Sequence, residues 1–441
     1  MSKLRVKDFF NNEFKQYSQN KNYQSIASCV DGLKPTARKA IHTVLKNNIN
    51  SWTKVEVLAN RTAGETEYLG GSSNISGVIV NVARKYTTSN NITYFETNGN
   101  FGQRLNNKPG EPRYIKIRKS KEVDKYIKKE DNPILIEQIF EETIIEPRFF
   151  LPTLPMILIN RNEGMGSGHA QDILPRNPIE IKEILIKKIK GKHKCELLPY
   201  WDGFKGKVQQ GEASNKFITE GLYEVNKRVI TITELPVGYQ LLKYTKILDD
   251  LLDKKIIRRY IDESDTKKDI FSFKVTVPMD FDMSHDNIIS KLKLSTKFSE
   301  NYTCIDENNA IKLFDNIDEI MDHYIKVKLE FTQKRKDYIL SKFKSDLDTI
   351  ENKIKFIQCV IDGKIIVNNT KKQDIVKQIA DNDISKLNGS YDYLLNMAIY
   401  TLSKERLEDL LKSANKLKTE YTTTEKKTIQ SIWLEEIRQV K

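Results

Sequence analysis

The sequence reads as a multidomain α+β chain that ends in a long antiparallel coiled coil. Three observations predict this class. From Phe343 the apolar residues Phe343, Leu347, Ile350, Ile354, Ile357 and Ile361 recur at alternating steps of four and three. Leu407, Leu410, Ala414, Leu417 and Tyr421 form a second seam, and such spacing keeps one helical edge facing a partner helix. In the middle, "RVITITELP" (228–236) and "FSFKVTVP" (271–278) alternate as strands do, with "YQLLKYTKILDDLLDKK" (239–255) helical between them. In the first third short helices and strands mix, and "DGLKPTARKAIHTVLKNN" (31–48) has the clearest helical pattern.

That helix opens near Pro35, whose missing N–H is harmless in a first turn. Ala37, Ala40, Ile41, Val44 and Leu45 form its apolar stripe. Lys34, Arg38 and Lys39 fall outside the stripe and are expected to face a partner, as in a helix-turn-helix or winged-helix unit. Two prolines before an apolar run in "LPTLPMILIN" (151–160) mark a boundary, giving expected domains 1–150, 151–320 and 321–441. Residues 362–403, between the two seams, include "YDYLLNMAIYTL" (391–402), which is too apolar for a linker. The expectation is a small knob at the far end of the helix pair, packed on a copy of itself.

At 441 residues the chain can bury a substantial core, and its net charge of +13 points to a polyanionic partner, nucleic acid before membrane. Cys29, Cys195, Cys304 and Cys359 lie far apart, against both a zinc site and a disulfide framework, and fit a reducing cytoplasm. No apolar run approaches the length of a membrane span. No G-x-x-x-x-G-K-[ST] occurs, so ATP hydrolysis through a P-loop is not expected of this chain. "GMGSGHA" (164–170) lacks the lysine of a phosphate loop, and "DFDMSHD" (280–286) reads as a solvated turn rather than a metal site. The five histidines show no metal spacing, and His42 reads as solvent-facing or capping.

One short stretch carries chemistry. "EPRYIKIRKS" (111–120) sets Tyr114 after Arg113 and among Lys116, Arg118 and Lys119. A phenol with a reference pKa of about 10 is a poor nucleophile at neutral pH. Cations favour its ionised form, and a guanidinium steadies the charge of a pentacoordinate phosphoryl transition state. A tyrosine that attacks a phosphodiester stores the bond as phosphotyrosine, so the strand can be resealed without ATP at that step. Taken alone, these ten residues better describe a sheet tyrosine flanked by solvated lysines.

The ordered set of motifs resembles the DNA-cleavage subunit of the type IIA topoisomerases, as found in T-even phages and in the breakage-reunion region of the eukaryotic type II enzymes. The resemblance runs from about residue 20 to the end. It rests on "SIASCVDGLKPTARKAI", "TNGNFGQRL" followed by "PRYI", "LINRNEGMGSGHAQDILPRN" (158–177), "WDGFKG", "TITELPVGY" and "YDYLLNMAIYTLSKE". It implies a winged-helix cleavage domain, an α/β tower domain, and a coiled coil ending in a dimer gate. Tyr114 is then the nucleophile with Arg113 its neighbour. Lys34, Arg38, Lys39, Lys116 and Lys119 are DNA contacts, which position a duplex without reading its sequence. Ile173 becomes the apolar wedge that kinks the duplex. Two positions depart from the family: Gln24 replaces a basic residue, and Leu69 and Gly70 in "EYLGGSS" replace histidines. Lys119, Arg84 or Lys85 are the candidate replacements.

The family's magnesium site and ATPase lie in other polypeptide, so the resemblance implies that Mg2+ and ATP are held by a partner subunit. No metal site is expected in this chain. The implied enzyme is an ATP-hydrolysing type II DNA topoisomerase, an isomerase acting as a homodimer on double-stranded DNA in the host cytoplasm or nucleoid. The chain stops soon after the second seam with no propeller, which implies relaxation and decatenation rather than supercoiling. The rival is a weakened or non-catalytic subunit that bends DNA as a scaffold, favoured by Gln24, Leu69 and Gly70.

Overall fold

The computed structural model describes residues 6–191, 193–398 and 403–440, a mixed α/β architecture with one very long helix. Its contacts divide it into two units: residues 1–328 with 434–441, and residues 329–433.

In the first unit a helical run leads from α1 (Val6–Phe9) through a π-turn, Phe10–Phe14, to α2 (Lys15–Ser25). A tight loop follows, and α3 (Pro35–Lys46) begins with Pro35 in its first turn. The loop needs a glycine. Gly32 has φ +66°, and a Cβ there would lie 2.6 Å from the Ile157 nitrogen. The predicted stripe Ala37, Ala40, Ile41 and Val44 is buried, while Leu45 is half-buried. It packs with α4 (Val55–Glu65) and α5 (Ser72–Ala83) through Leu58, Ala59, Ile75 and Ile79, all inaccessible to solvent.

A three-stranded antiparallel sheet completes this region in the order β1 (Thr53–Lys54), β3 (Lys116–Lys119), β2 (Phe95–Asn98). Lys54 is opposite Lys116, and Asn98 is opposite Lys116 on the other side. Ile115 and Ile117 point into the core, so their neighbours along the chain point out.

The expected boundary at 150 does not separate two units of contact. Buried hydrogen bonds stitch across it: the Ala27 amide donates to the Gln171 side chain. Asn91 donates to the carbonyls of Ile159, Arg176 and Tyr200. Further on, the strands expected from alternation form a four-stranded antiparallel sheet ordered Leu222–Asn226, Val229–Glu234, Phe273–Thr276, Arg259–Asp262. The helix Leu241–Asp253 covers it through Tyr244 and Leu248, against Ile230, Ile232, Phe273 and Val275. The "DFDMSHD" carboxylate Asp282 accepts from the Ser284 amide and hydroxyl, as a solvated turn does.

The long helix runs Ile317–Ile361, beginning 26 residues ahead of the Phe343 seam. In the second unit it pairs with the helix Lys404–Lys426. Lys336 donates to the Glu425 carbonyl and Lys418 pairs with Glu351, contacts that only antiparallel helices can make together. Ile357 of the expected seam is fully buried, but Ile361 is 37% exposed, and Phe356 and Cys359, outside the seam, are buried instead. The reason is local: the helix ends at Ile361, and its last turn directs its apolar side into the knob. That knob has its own core of Ile365, Ile375, Ile379, Ile384, Tyr391 and Leu394. Residues 399–402 of the expected apolar knot lie outside the described residues. All four cysteines are free and buried, and no described helix is long and apolar enough to cross a membrane.

Candidate active site

Tyr114 stands at the entry of β3 with 70% of its surface exposed. The backbone beneath it is pinned. The Tyr114 amide donates to the Glu111 carbonyl, the Glu56 amide to the Pro112 carbonyl and the Val55 amide to the Ile115 carbonyl. Ile115, only 3% exposed, anchors the next position in the core. The tyrosine is thus presented by a fixed turn, and its hydroxyl has no hydrogen-bond partner among the described residues. The Arg113 guanidinium carbon lies 5.2 Å from the centre of its ring. A ring stacked under a cation, with its oxygen free toward solvent, can meet an anionic substrate.

The expected cationic cradle is smaller than the sequence suggests. Lys116 is half-buried on the outer side of β3. Arg118 shares that side but is neutralised by Glu96, to which its Nε donates at 2.8 Å, and it stacks over Trp52. Lys119 must be corrected. Its side chain points inward, 8% exposed, and donates to Asn48 at 3.0 Å and to Asp124 at 3.0 Å. Strand alternation explains this, because residue 119 falls on the core face with Ile115 and Ile117. It is not free to replace a missing histidine. Arg84 is also engaged, donating to the carbonyls of Phe101 and Asn107.

On α3 the three cations fare differently. Lys34, half-buried at the N-cap, donates to the Glu163 carbonyl at 2.7 Å, and burial pushes its amine below the usual lysine range. Lys39 donates to Glu146 and to the Thr66 carbonyl, both at 2.8 Å. Arg38 is corrected outright. It is 2% exposed and forked onto Asp31 at 2.7 and 3.0 Å, with a third bond to the Leu33 carbonyl. The apolar stripe revealed one buried face of α3; the loop Ile26–Leu33 and the Phe149–Phe150 segment cover a second.

Ile173 is corrected too. It is fully buried in β7 (Ala170–Ile173), which pairs with β6 (Asn162–Met165) after the small hairpin of β4 (Ile139–Phe140) and β5 (Thr143–Ile144). As it sits, it has no surface to insert between base pairs. At the other end of the same hairpin Met165 is 80% exposed, a residue no sequence pattern singled out. Glycine packing holds that hairpin close: a Cβ at Gly164 would lie 2.0 Å from the Ser25 carbonyl. Among the positions that depart from the family pattern, Leu69 is 85% exposed and Gln24 lies on the surface, its side-chain amide donating to Asn20.

His42 is not solvent-facing. It is half-buried, and burial, with Lys46 and Lys39 adding to it, pushes its pKa down to about 4. It lines a cavity of about 690 Å³ with Leu45, Ile127, Leu135 and Phe150, and none of the expected site residues opens into it.

Among the described residues, the side chains that come together as possible metal ligands do not suit magnesium. Cys29, Glu307 and His323 come within 4.8 Å of one another, but a thiol and an imidazole suit softer metals than Mg2+, which takes oxygen ligands. The Lys312 ammonium also lies 3.0 Å from the His323 Nδ1.

The profile of the family described as the A subunit of DNA gyrase/topoisomerase IV matches residues 24–438. The mitochondrial DNA topoisomerase 2 of Dictyostelium discoideum is 30% identical over 449 residues, covering 98% of this chain and 35% of that protein. The DNA topoisomerase 2 of Acanthamoeba polyphaga mimivirus is 27% identical over 514 residues, covering 99% of this chain and 41% of its own length. This chain therefore spans well under half the length of these relatives. Among solved structures, the DNA-binding, cleavage and re-ligation domain of Plasmodium falciparum topoisomerase II superposes with a TM-score of 0.84 at 28% identity, over 98% of this chain and 63% of that one. The agreement of profile, sequence and fold over nearly every residue means that the chain belongs to the family of the DNA gyrase/topoisomerase IV A subunits and is a type IIA topoisomerase cleavage domain.

Proposed function

We propose that Tyr114 is the nucleophile of a transesterase that breaks and reseals both strands of a DNA duplex. The phenolic oxygen attacks a backbone phosphorus, forming a P–O bond to tyrosine while the bond to the 3′ oxygen breaks. The phenol's proton is released, and the departing 3′ oxygen takes one up. The 5′ end stays on Tyr114, and reversal restores the strand with no net bond change. Arg113 stabilises the charge that gathers on the phosphoryl oxygens. Lys34 and Lys116 hold backbone phosphates.

In this reading residues 1–150 form a winged-helix cleavage domain, 151–320 a tower, and the 362–403 knob closes a homodimer. A partner subunit supplies magnesium and ATP hydrolysis, and the complex relaxes and decatenates DNA in the cytoplasm or nucleoid of its host. The observation that carries the reading is the exposed, backbone-pinned Tyr114 with Arg113 over its ring. Tyr114→Phe should abolish covalent protein–DNA adducts and leave duplex affinity within about twofold. Adducts that persist would remove Tyr114 from the chemistry.

A second reading is favoured by Leu69, whose exposed apolar side chain stands where the family carries a histidine, and by the engagement of Lys119 with Asp124. A DNA-bending scaffold would bind duplex yet yield no adduct even when magnesium and the partner subunit are both present. Digestion of trapped complexes and mass spectrometry at residue 114 separate the two.

A further inference from the structure

Lys54 and Lys116 face each other directly across the β1–β3 ladder. Side chains so placed have Cβ atoms about 4.5–5.5 Å apart, and like charges there repel. Asn98 of β2 completes the row without offering a carboxylate. The next row of the same sheet is balanced, since Arg118 is paired with Glu96 and stacked on Trp52. The lysine row is not: neither ammonium has an ion-pair partner among the described residues.

A second misfit falls on the same spot. Lys54 is the N-cap of α4, with no side-chain capping bond. A cation at a helix N-terminus meets the positive end of the helix dipole, where an anion belongs. Glu56, the acid of the first turn, is exposed and makes no ion pair with Lys54. Two unfavourable placements at one point are both relieved by a single bound anion.

Tyr114 closes the turn that leads into β3 and Lys116 opens the strand; Ile115 between them is buried, and both flanking side chains reach the surface. Two residues of chain span at most about 7 Å, and a lysine's reach bridges that distance to a neighbouring backbone phosphate. We propose that Lys54 and Lys116 form a phosphate subsite for the DNA strand joined to Tyr114, gripping the phosphodiester beside the one attacked. The inference rests on the reading of Tyr114 as nucleophile. Because the turn that presents the tyrosine runs directly into the strand that carries Lys116, the 5′ end stays in register while the break is open, and religation needs no search. Lys54 is the member no sequence pattern supplies.

The test uses the full chain with Lys54→Gln and Lys116→Gln combined. In a Tyr114→Phe background, duplex binding is measured from 50 to 200 mM salt. Loss of two phosphate contacts should lower the slope of log affinity against log salt by about 1.8, so the parent loses about twelvefold more affinity over that range than the variant. With Tyr114 present and the partner subunit supplied, adducts should still form but reseal more slowly, and Lys54→Arg should restore the parental rate. Melting temperature should hold or rise, since a repulsion is removed. An unchanged slope and resealing rate, with adducts forming normally at Tyr114, overturn the subsite and leave the nucleophile standing. A melting temperature lowered by several degrees assigns the lysines a structural role and overturns it as well. Absence of any adduct in the parent removes the nucleophile, and the subsite with it.

Discussion

Removing the Asp31 carboxylate should unfold this protein's first unit far more readily than the change of one loop residue suggests. Asp31 is fully buried and accepts four bonds: two from Arg38 at 2.7 and 3.0 Å, one from the Leu33 amide and one from the Phe150 amide. Asp31→Ala leaves a buried guanidinium without its counter-charge, which costs about 3–5 kcal/mol. It also strands two buried amides at about 1 kcal/mol each, for a total near 5–7 kcal/mol. For a unit of this size, extending the usual scaling, about 1.5–2 °C is lost per kcal/mol, so the melting temperature should fall by about 8–14 °C. Arg38→Met, which leaves Asp31 buried and charged but still bonded to both amides, should cost about 3–5 kcal/mol. The double variant should be less destabilised than the sum of the singles by about 2–3 kcal/mol, because the second change removes the unpaired charge left by the first. Thermal unfolding and duplex binding are measured on all four proteins. If Arg38→Met melts within a degree of the parent but binds DNA more weakly, Arg38 is a surface DNA contact and the reasoning is refuted.

Two further predictions are direct. His42 has an ordinary pKa of about 6.5 when unfolded and about 4 when folded, so the unfolded chain binds the proton first as the medium acidifies. Stability is therefore full above pH 6.5 and falls between about pH 6.5 and 4, by about 2–3 kcal/mol; His42→Gln should flatten that part of a denaturant-midpoint profile, and an unchanged profile refutes the assignment. Ile173→Ala should destabilise by about 2–4 kcal/mol as a cavity opens in a fully buried site. Circular-permutation or ligation measurements of DNA bending would show the alternative, an unchanged melting temperature with a weakened bend, expected of a surface wedge.

The helix of residues 31–48, the strands at 228–236 and 271–278 and the helix between them were legible because each is written in local periodicity. Tyr114 as a candidate nucleophile was legible for a similar reason, since proline, arginine and tyrosine stand adjacent in the chain; that a turn and not a strand presents it was not. Burial on a second face was not. Arg38 lies outside the apolar stripe of α3, and only the fold brings Asp31 and Phe150 over it. Nor does any local pattern announce that the long helix starts at Ile317, ahead of its regular seam.

Family, candidate nucleophile and element types could all be read from the chain, since these depend on residues near one another or on motifs in a fixed order. Which cations are free could not. Lys34, Arg38, Lys39, Lys116 and Lys119 are equivalent as letters, yet folding buries Arg38 against Asp31 and Lys119 against Asp124, while Lys116 meets Lys54 across a ladder. Charge acts through space and desolvation, and a strand pairing that joins residues 54 and 116 leaves no periodic trace in either segment.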